Sequence, residues 1–285
     1  MVNVRKYPVL VLCGRDEKRR ELLKIHDPEG NYPSKCMLPM HGKRVLDWQL
    51  ESMCESPHVG DIYLIGLSPD EFPCPQKLNY VSTESTTTIL EKIILGSQII
   101  INKYPELDHL IISTGDVPGI STESIDKFFM ELDQNNDADV LLSAVPEDIT
   151  LIEFPEHRRV VGRFKDQAIY MGEFFAFRHT IIPTLLDEID QLTKLRRKFI
   201  RRSDTSKLIP VMGYLAKKPR LWMLILKYLL GKLSVGEIES ILSRVYRMKL
   251  KVIIISDPGF GMDMDLPEDY QKLSDYVLKT KIQTA

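Results

Sequence analysis

At 285 residues, 44% of them hydrophobic, the chain can bury a sizeable core as one large domain or two small ones. A formal net charge of −2 gives no global reason to expect nucleic acid or a membrane as partner, and the longest apolar run, "LWMLILKYLL", falls short of the roughly 20 residues a membrane-spanning helix requires. Cys13, Cys36, Cys54 and Cys74 show no C-x-x-C spacing and follow no apolar leader, so a reduced, cytoplasmic protein without a zinc site is expected.

In chain order, "PVLVL" at 8–12 predicts a first strand, which runs through Leu12, Cys13 and Gly14 into Arg15 and the charged "DEKRR". A turn of this kind offers backbone N–H groups and cations to an anion such as a triphosphate. It matches neither the P-loop nor the dinucleotide fingerprint, and a solvated charged loop is the equal alternative. Next, "YPSKCMLPMHGKRVLDW" places Lys35 ahead of a short apolar segment, a Gly-Lys turn and the amphipathic helix of "RVLDWQLESMCES". A second strand is expected in "DIYLIGL" at 61–67 and a second helix in "TTTILEKIILGSQIIINKY". The hydroxyls of "STESTTTILEKI" at 82–93 suit N-caps, and Thr86 is a candidate nucleotide contact.

The strand "HLIIST" at 109–114 ends on Gly115-Asp116 before a proline. A lone Asp there ordinarily serves a turn or a cap, but "STES" at 121–124 already offers the following helix a better N-cap. Further strands are expected in "ADVLLSAV" at 138–145 and "LKVIIIS" at 250–256. Near-continuous apolar strands alternating with helices imply βαβ units, a mainly parallel sheet with helices on both faces, and ligands at the carboxyl ends of the strands, where Asp116 falls. One stretch stands apart. Residues 194–251 hold 16 Lys and Arg against 3 Asp and Glu, a net +13. This basic, mostly helical excursion, at about 183–248, is either a solvated insertion or a contact, through 194–233, with an anionic membrane or acceptor. Nucleic acid is not expected, because no stacking face accompanies the charge.

Four stretches in order, "VLCG", "PSKCMLPMHGKRVLDWQL", "STGDVPGIS" and "GMDMDLPEDYQKL" at 261–273, resemble the MobA-like nucleotidyltransferases. The resemblance implies a single Rossmann-like domain of the nucleotide-diphosphate-sugar transferase type over 1–285. In that family an acceptor phosphate attacks the α-phosphorus of an NTP and expels pyrophosphate. It further implies Asp116 and Asp265 as ligands of Mg²⁺, with Asp263 beside them, and Lys35 as the phosphate-contacting lysine. Leu12, Cys13, Gly14 and Arg15 would form the loop over the triphosphate, with Lys35 and Arg15 as the catalytic cations. Gly172 and Glu173, in "YMGEFFAF" at 170–177, would lie near the acceptor, although a turn glycine and a surface carboxylate are the plain alternative. CTP or GTP and a small phosphorylated acceptor are the implied substrates. The loop departs from the family's glycine-rich form, and about twenty residues separate it from Lys35.

The chemistry asks for the same residue types. In-line transfer at phosphorus is mainly positioning and charge neutralisation, and magnesium needs only one or two protein carboxylates. Asp116 and Asp265 are expected within roughly 4 to 7 Å of each other. Two other classes fit parts of the pattern. "DMD" at 263–265 is the D-x-D of glycosyltransferases that use nucleotide-sugars, and the irregular first loop suits a non-catalytic nucleotide-binding module. Pyrophosphate release separates the three.

Overall fold

The computed structural model describes residues 4–15, 21–84, 87–155, 159–182, 184 and 218–283. Its main sheet has eight strands, seven of them in the order β10-β7-β9-β6-β1-β4-β5. In chain order these are β1 (Tyr7–Leu12), β4 (Val59–Ile65), β5 (Leu78–Val81), β6 (His109–Thr114), β7 (Val140–Pro146), β9 (Ala168–Arg178) and β10 (Leu250–Ile254). The short β8 (Gly162–Arg163) pairs with β9, while β2 (Pro39–Met40) and β3 (Lys43–Arg44) make a separate ribbon. β1 runs parallel to β4 and β6, β4 to β5, and β7 to β10. β9 alone lies antiparallel between β6 and β7.

Successive side chains of a strand point to opposite faces. Tyr7, Val9, Leu10 and Val11 of β1 and Leu110, Ile111 and Ile112 of β6 are all buried, so both faces of the central sheet are covered. The covering helices are α1 (Glu21–His26), α2 (Val45–Glu55), α3 (Ile89–Lys103), α4 (Thr122–Gln134), α5 (Glu147–Glu153), α6 (Pro219–Leu229), α7 (Val235–Tyr246) and α8 (Pro267–Val277). Their starts are written in the sequence. Thr88 caps α3 in a reciprocal box with Glu91, and Ser121 caps α4 through the Ser124 N–H. A second apolar cluster joins Leu22 and Leu23 of α1, Trp48 of α2, Met262 and Met264, and Leu273 and Val277 of α8, so the C-terminal segment is fastened beside the N-terminal one. The sheet and its helices form an α/β, Rossmann-like fold.

The strands expected from the sequence are all present. β5 and β9 were not among them: β5 is short and only partly buried, and β9 carries a charged Glu173 in its middle. Of the basic excursion, 183 and 185–217 lie outside the described residues, whereas α6 and α7 are helical as expected. No helix among the described residues is long and apolar enough to cross a membrane.

Candidate active site

The opening feature is Asp116, 5% exposed, immediately beyond the carboxyl end of β6. The turn that carries it is held by Gln49, a buried side chain of α2 whose amide nitrogen donates to Thr114 O at 2.6 Å and Ser113 Oγ at 2.9 Å. The Gln49 Oε1 accepts from the Val117 N–H at 3.3 Å, so one side chain closes both sides of the turn. A second segment is tied to the same point, since the Met264 N–H donates to Asp116 O at 3.1 Å.

That second segment explains the "MDMD" pattern. Met262 and Met264 are fully buried, and residues two apart on an extended segment share a face, so Asp263 and Asp265 alternate out of the core. The buried Asp269 then starts α8 by accepting from the Asp265 and Leu266 N–H groups at 3.1 and 2.8 Å. The second acid of "LPED" is therefore occupied with capping. Asp116, Asp263 and Asp265 each offer a carboxylate oxygen, and these oxygens lie within 4.8 Å of one another. The expected convergence of Asp116 with Asp265 is present in the fold.

Lys35 occupies the middle of this acid cluster. It opens a short 3₁₀ turn, Lys35–Met37, capped by the buried Ser34, and its Nζ lies 2.5 Å from Asp116 Oδ2 and 2.5 Å from Asp265 Oδ1. Burial on its own would lower this ammonium's pKa, but the two carboxylates outweigh burial and raise it. Lys35 is thus a fixed positive charge. Arg159, on the loop before β8, plays a matching part on the other flank. Its guanidinium contacts the Asp263 carboxylate and donates to Asp263 O at 2.5 Å, with Glu173 Oε1 3.7 Å away.

Glu173 projects from β9 toward Thr114, whose hydroxyl donates to it at 3.1 Å. Burial, and then repulsion from Asp116, push its carboxyl up to about 7, against the pull of Arg159. Glu173 is no surface carboxylate. Gly172 is likewise no turn glycine: it lies within β9, where an added Cβ would stand 2.4 Å from Ser143 Oγ and 3.2 Å from Phe260 Cδ1.

Arg15 stands elsewhere, against the ends of β4 and β5. Its Nε donates to Gly66 O at 3.3 Å and its guanidinium contacts Glu71, which Ser68 holds through its N–H and hydroxyl, both at 2.9 Å. Arg15, Gly66, Leu67, Ser68, Pro69, Tyr80, Ser82 and Thr83 line a groove of about 240 Å³. Leu12 ends β1, Cys13 is buried beneath the loop, and Gly14 is exposed, with nothing within 4 Å of where a Cβ would be. Thr86 and 16–20 lie outside the described residues.

Sequence reasoning missed Arg159, Gln49 and Lys92. Lys92 is a buried lysine of α3 whose Nζ donates to Cys13 O at 3.1 Å, anchoring the first loop from below. Its pKa is lowered by burial. Across from it Gly66, at φ +108°, lets the β1 and β4 ends close up, since a Cβ would meet Cys13 O at 1.9 Å. None of these three has a local signal. Arg159 is one basic residue of "HRR", and Gln49 and Lys92 are polar positions inside amphipathic helices.

The donor set suits a metal ion. Three carboxylates within 4.8 Å, screened by two cations and joined, among the described residues, by no thiol or imidazole ligand, are hard oxygen ligands of the kind a divalent alkaline-earth ion takes.

No protein-family model matches this chain, and no curated protein matches it. Solved structures do. A hypothetical transferase from Thermus thermophilus aligns with a TM-score of 0.64 at 21% identity, over 93% of this chain and 99% of its own. CMP:2-keto-3-deoxy-manno-octonic acid synthetase, complexed with CTP, aligns at 0.55 and 11% identity, over 96% and 99%. A nucleotidyl transferase from Methanothermobacter thermautotrophicus aligns at 0.54 and 12%, over 97% and 99%. At these identities the likeness establishes the fold, which this chain shares with those transferases over nearly its whole length.

Proposed function

We propose that this protein is a nucleotidyltransferase of the MobA-like kind, moving an NMP group from an NTP to a phosphate-bearing acceptor with release of pyrophosphate. The observation that carries the proposal is Lys35 held between Asp116 and Asp265, with Asp263 in the same cluster, at the carboxyl end of the sheet. The chain's resemblance in four ordered motifs and its fold support the same reading. The NTP is CTP or GTP, and CTP has the support of a solved structure of this fold, CMP:2-keto-3-deoxy-manno-octonic acid synthetase complexed with CTP. In this proposal 1–285 act as one catalytic unit.

Each part of the site has work in the reaction. The nucleoside lies in the groove of Gly66, Ser68, Tyr80, Ser82 and Thr83, whose hydroxyls and backbone groups can read a base. Its phosphates point to Lys35, which neutralises charge as the α-phosphorus is attacked and the bond to pyrophosphate breaks. Asp116, Asp263 and Asp265 would hold Mg²⁺, which supplies Lewis-acid neutralisation of the phosphate oxygens. Arg159 and Glu173 face the other flank. Arg159 presents a planar fork suited to an acceptor phosphate, and Glu173 accepts from hydroxyls such as that of Thr114.

Screening the four NTPs with Mg²⁺ for thermal stabilisation, and then phosphorylated acceptors for pyrophosphate release, tests the proposal. Asp116→Asn should abolish pyrophosphate release with the fold intact, because the amide keeps the size and loses the charge. Lys35→Ala should lower turnover by about 10² to 10³. Release of a nucleoside diphosphate from a nucleotide-sugar instead would make the protein a glycosyltransferase. Nucleotide binding without either product would make it a binding module.

A further inference from the structure

Helix α6 presents an apolar face outward. Trp222, Met223, Leu226, Leu229 and Leu230 are 40, 59, 58, 76 and 58% exposed. At 100° per residue these positions fall within an arc of roughly 120°, one continuous stripe. The opposite side of the helix is where the protein holds it: Leu221 is buried, Phe164 and Tyr228 meet edge to face at 6.0 Å, and just beyond the helix Leu233 is buried too. The Arg163 N–H donates to Tyr228 Oη at 3.3 Å, and the Lys165 N–H to Leu233 O at 2.8 Å. α6 is therefore fastened to the β8–β9 hairpin by one side while its apolar side is turned away.

The rim of the stripe is cationic. Lys218 precedes the helix with its ammonium 4.2 Å from the centre of the Tyr246 ring, Lys227 lies one step round from its edge and pairs with Glu237 at 2.6 Å, and the exposed Lys232 follows it. These lysines belong to the 194–251 segment with its net charge of +13. Among the described residues, Lys218, Lys227 and Lys232 line this rim, and like charges brought together at contact distance disfavour the same face of a second copy. The rim equally disfavours a cationic partner. Nucleic acid would leave Met223, Leu226, Leu229 and Leu230 unused, because bases stack on aromatic rings and only Trp222 in the stripe is one. An anionic lipid surface satisfies both halves, apolar side chains at the acyl boundary and ammonium groups among the headgroups, with the indole of Trp222 at the level where tryptophan is favoured.

We propose that α6 docks this protein on an anionic lipid bilayer, lying in the interface with Trp222, Met223, Leu226, Leu229 and Leu230 toward the acyl chains. The binding is peripheral and reversible, and it does not depend on the reaction proposed above.

The test uses the full chain and vesicles of phosphatidylglycerol with phosphatidylcholine, against phosphatidylcholine alone. Tryptophan emission reports α6 directly: Trp48 is buried in the second core, so Trp222 is the indole that changes surroundings. The expected results are co-sedimentation with the anionic vesicles at low salt, a blue shift of emission, and weakening by salt. Each cation near the surface contributes about fivefold to partitioning. Trp222→Phe should keep most of the sedimentation and lose the shift. Leu226→Glu with Leu229→Glu, both on exposed positions, should reduce binding at least about tenfold. A protein that stays in the supernatant with anionic vesicles at low salt overturns the proposal. So does a salt-insensitive, concentration-dependent dimer that shields Trp222 without lipid, which would make the stripe an interface between copies.

Discussion

Lys281 shows how a single charge near the end of the chain couples to the core. Its Nζ donates to Trp48 O at 3.0 Å and Ser52 Oγ at 2.8 Å, both on α2, and burial lowers its pKa to about 8, against the pull of Asp257, Glu51 and Glu55. Because the folded value lies below the ordinary 10.5, the unfolded chain binds more protons between the two, and the stability from this group rises as pH climbs through that window. Below about pH 8 both states are charged and the folded state carries the full penalty. Lys281→Met removes the titration. The Tm difference, variant minus wild type, should therefore fall as pH is raised from about 7 to about 10. A difference that stays flat across that range would show that Lys281 titrates normally. The residue was invisible in the sequence as anything but a terminal lysine, because its environment comes from a helix more than 200 positions earlier.

β9 is the element on which the sheet and the candidate site meet, and the one hardest to read. Its apolar run is interrupted by Glu173, and its outer neighbours are β6 and β7, strands whose own connection is a helix. Inserted antiparallel between them, it brings Glu173 beside Thr114 and leaves Gly172 over Ser143, whose hydroxyl also donates to Phe174 O at 2.7 Å. Gly172→Ala should cost about 1 to 3 kcal/mol in chemical denaturation, because the methyl would push on a short, buried, hydrogen-bonded side chain. Stability equal to wild type would mean that β9 and β7 can separate by several tenths of an ångström without penalty. The helices were more legible. Thr88 with Glu91 and Ser121 with Ser124 are local devices, and the residues that make them lie within three positions of one another.

Across the whole protein, the N-terminal 3₁₀ turn, the β6 turn and the segment before α8 are brought into one acid cluster by the packing of α1 and α2 against Met262, Met264 and α8. Four carboxyl groups, Asp116, Asp263, Asp265 and Glu173, there meet two cations, Lys35 and Arg159. A divalent ion bound by the folded chain alone stabilises it by mass action. Mg²⁺ at a hundredfold excess over its dissociation constant should add about 2.7 kcal/mol, a Tm rise on the order of 5 °C that a chelator reverses. Asp116→Asn should blunt the rise. An equal rise in that variant would place the ion elsewhere.

By itself the sequence determined the alternation of strand and helix, the caps, and the place of Asp116 at a strand end, because each rests on periodicity or on contacts within a few residues, whereas Asp265 was singled out only by the resemblance of "GMDMDLPEDYQKL" to a known family. Convergence was beyond it. That Lys35 sits between Asp116 and Asp265, that Arg159 guards Asp263, and that Gln49 closes the β6 turn all follow from long-range packing, in which side chains far apart in sequence share one buried volume. The outward stripe of α6 divides in the same way. Its amphipathic pattern is local, but which side the β8–β9 hairpin covers was decided only when Tyr228 and Leu233 found their partners.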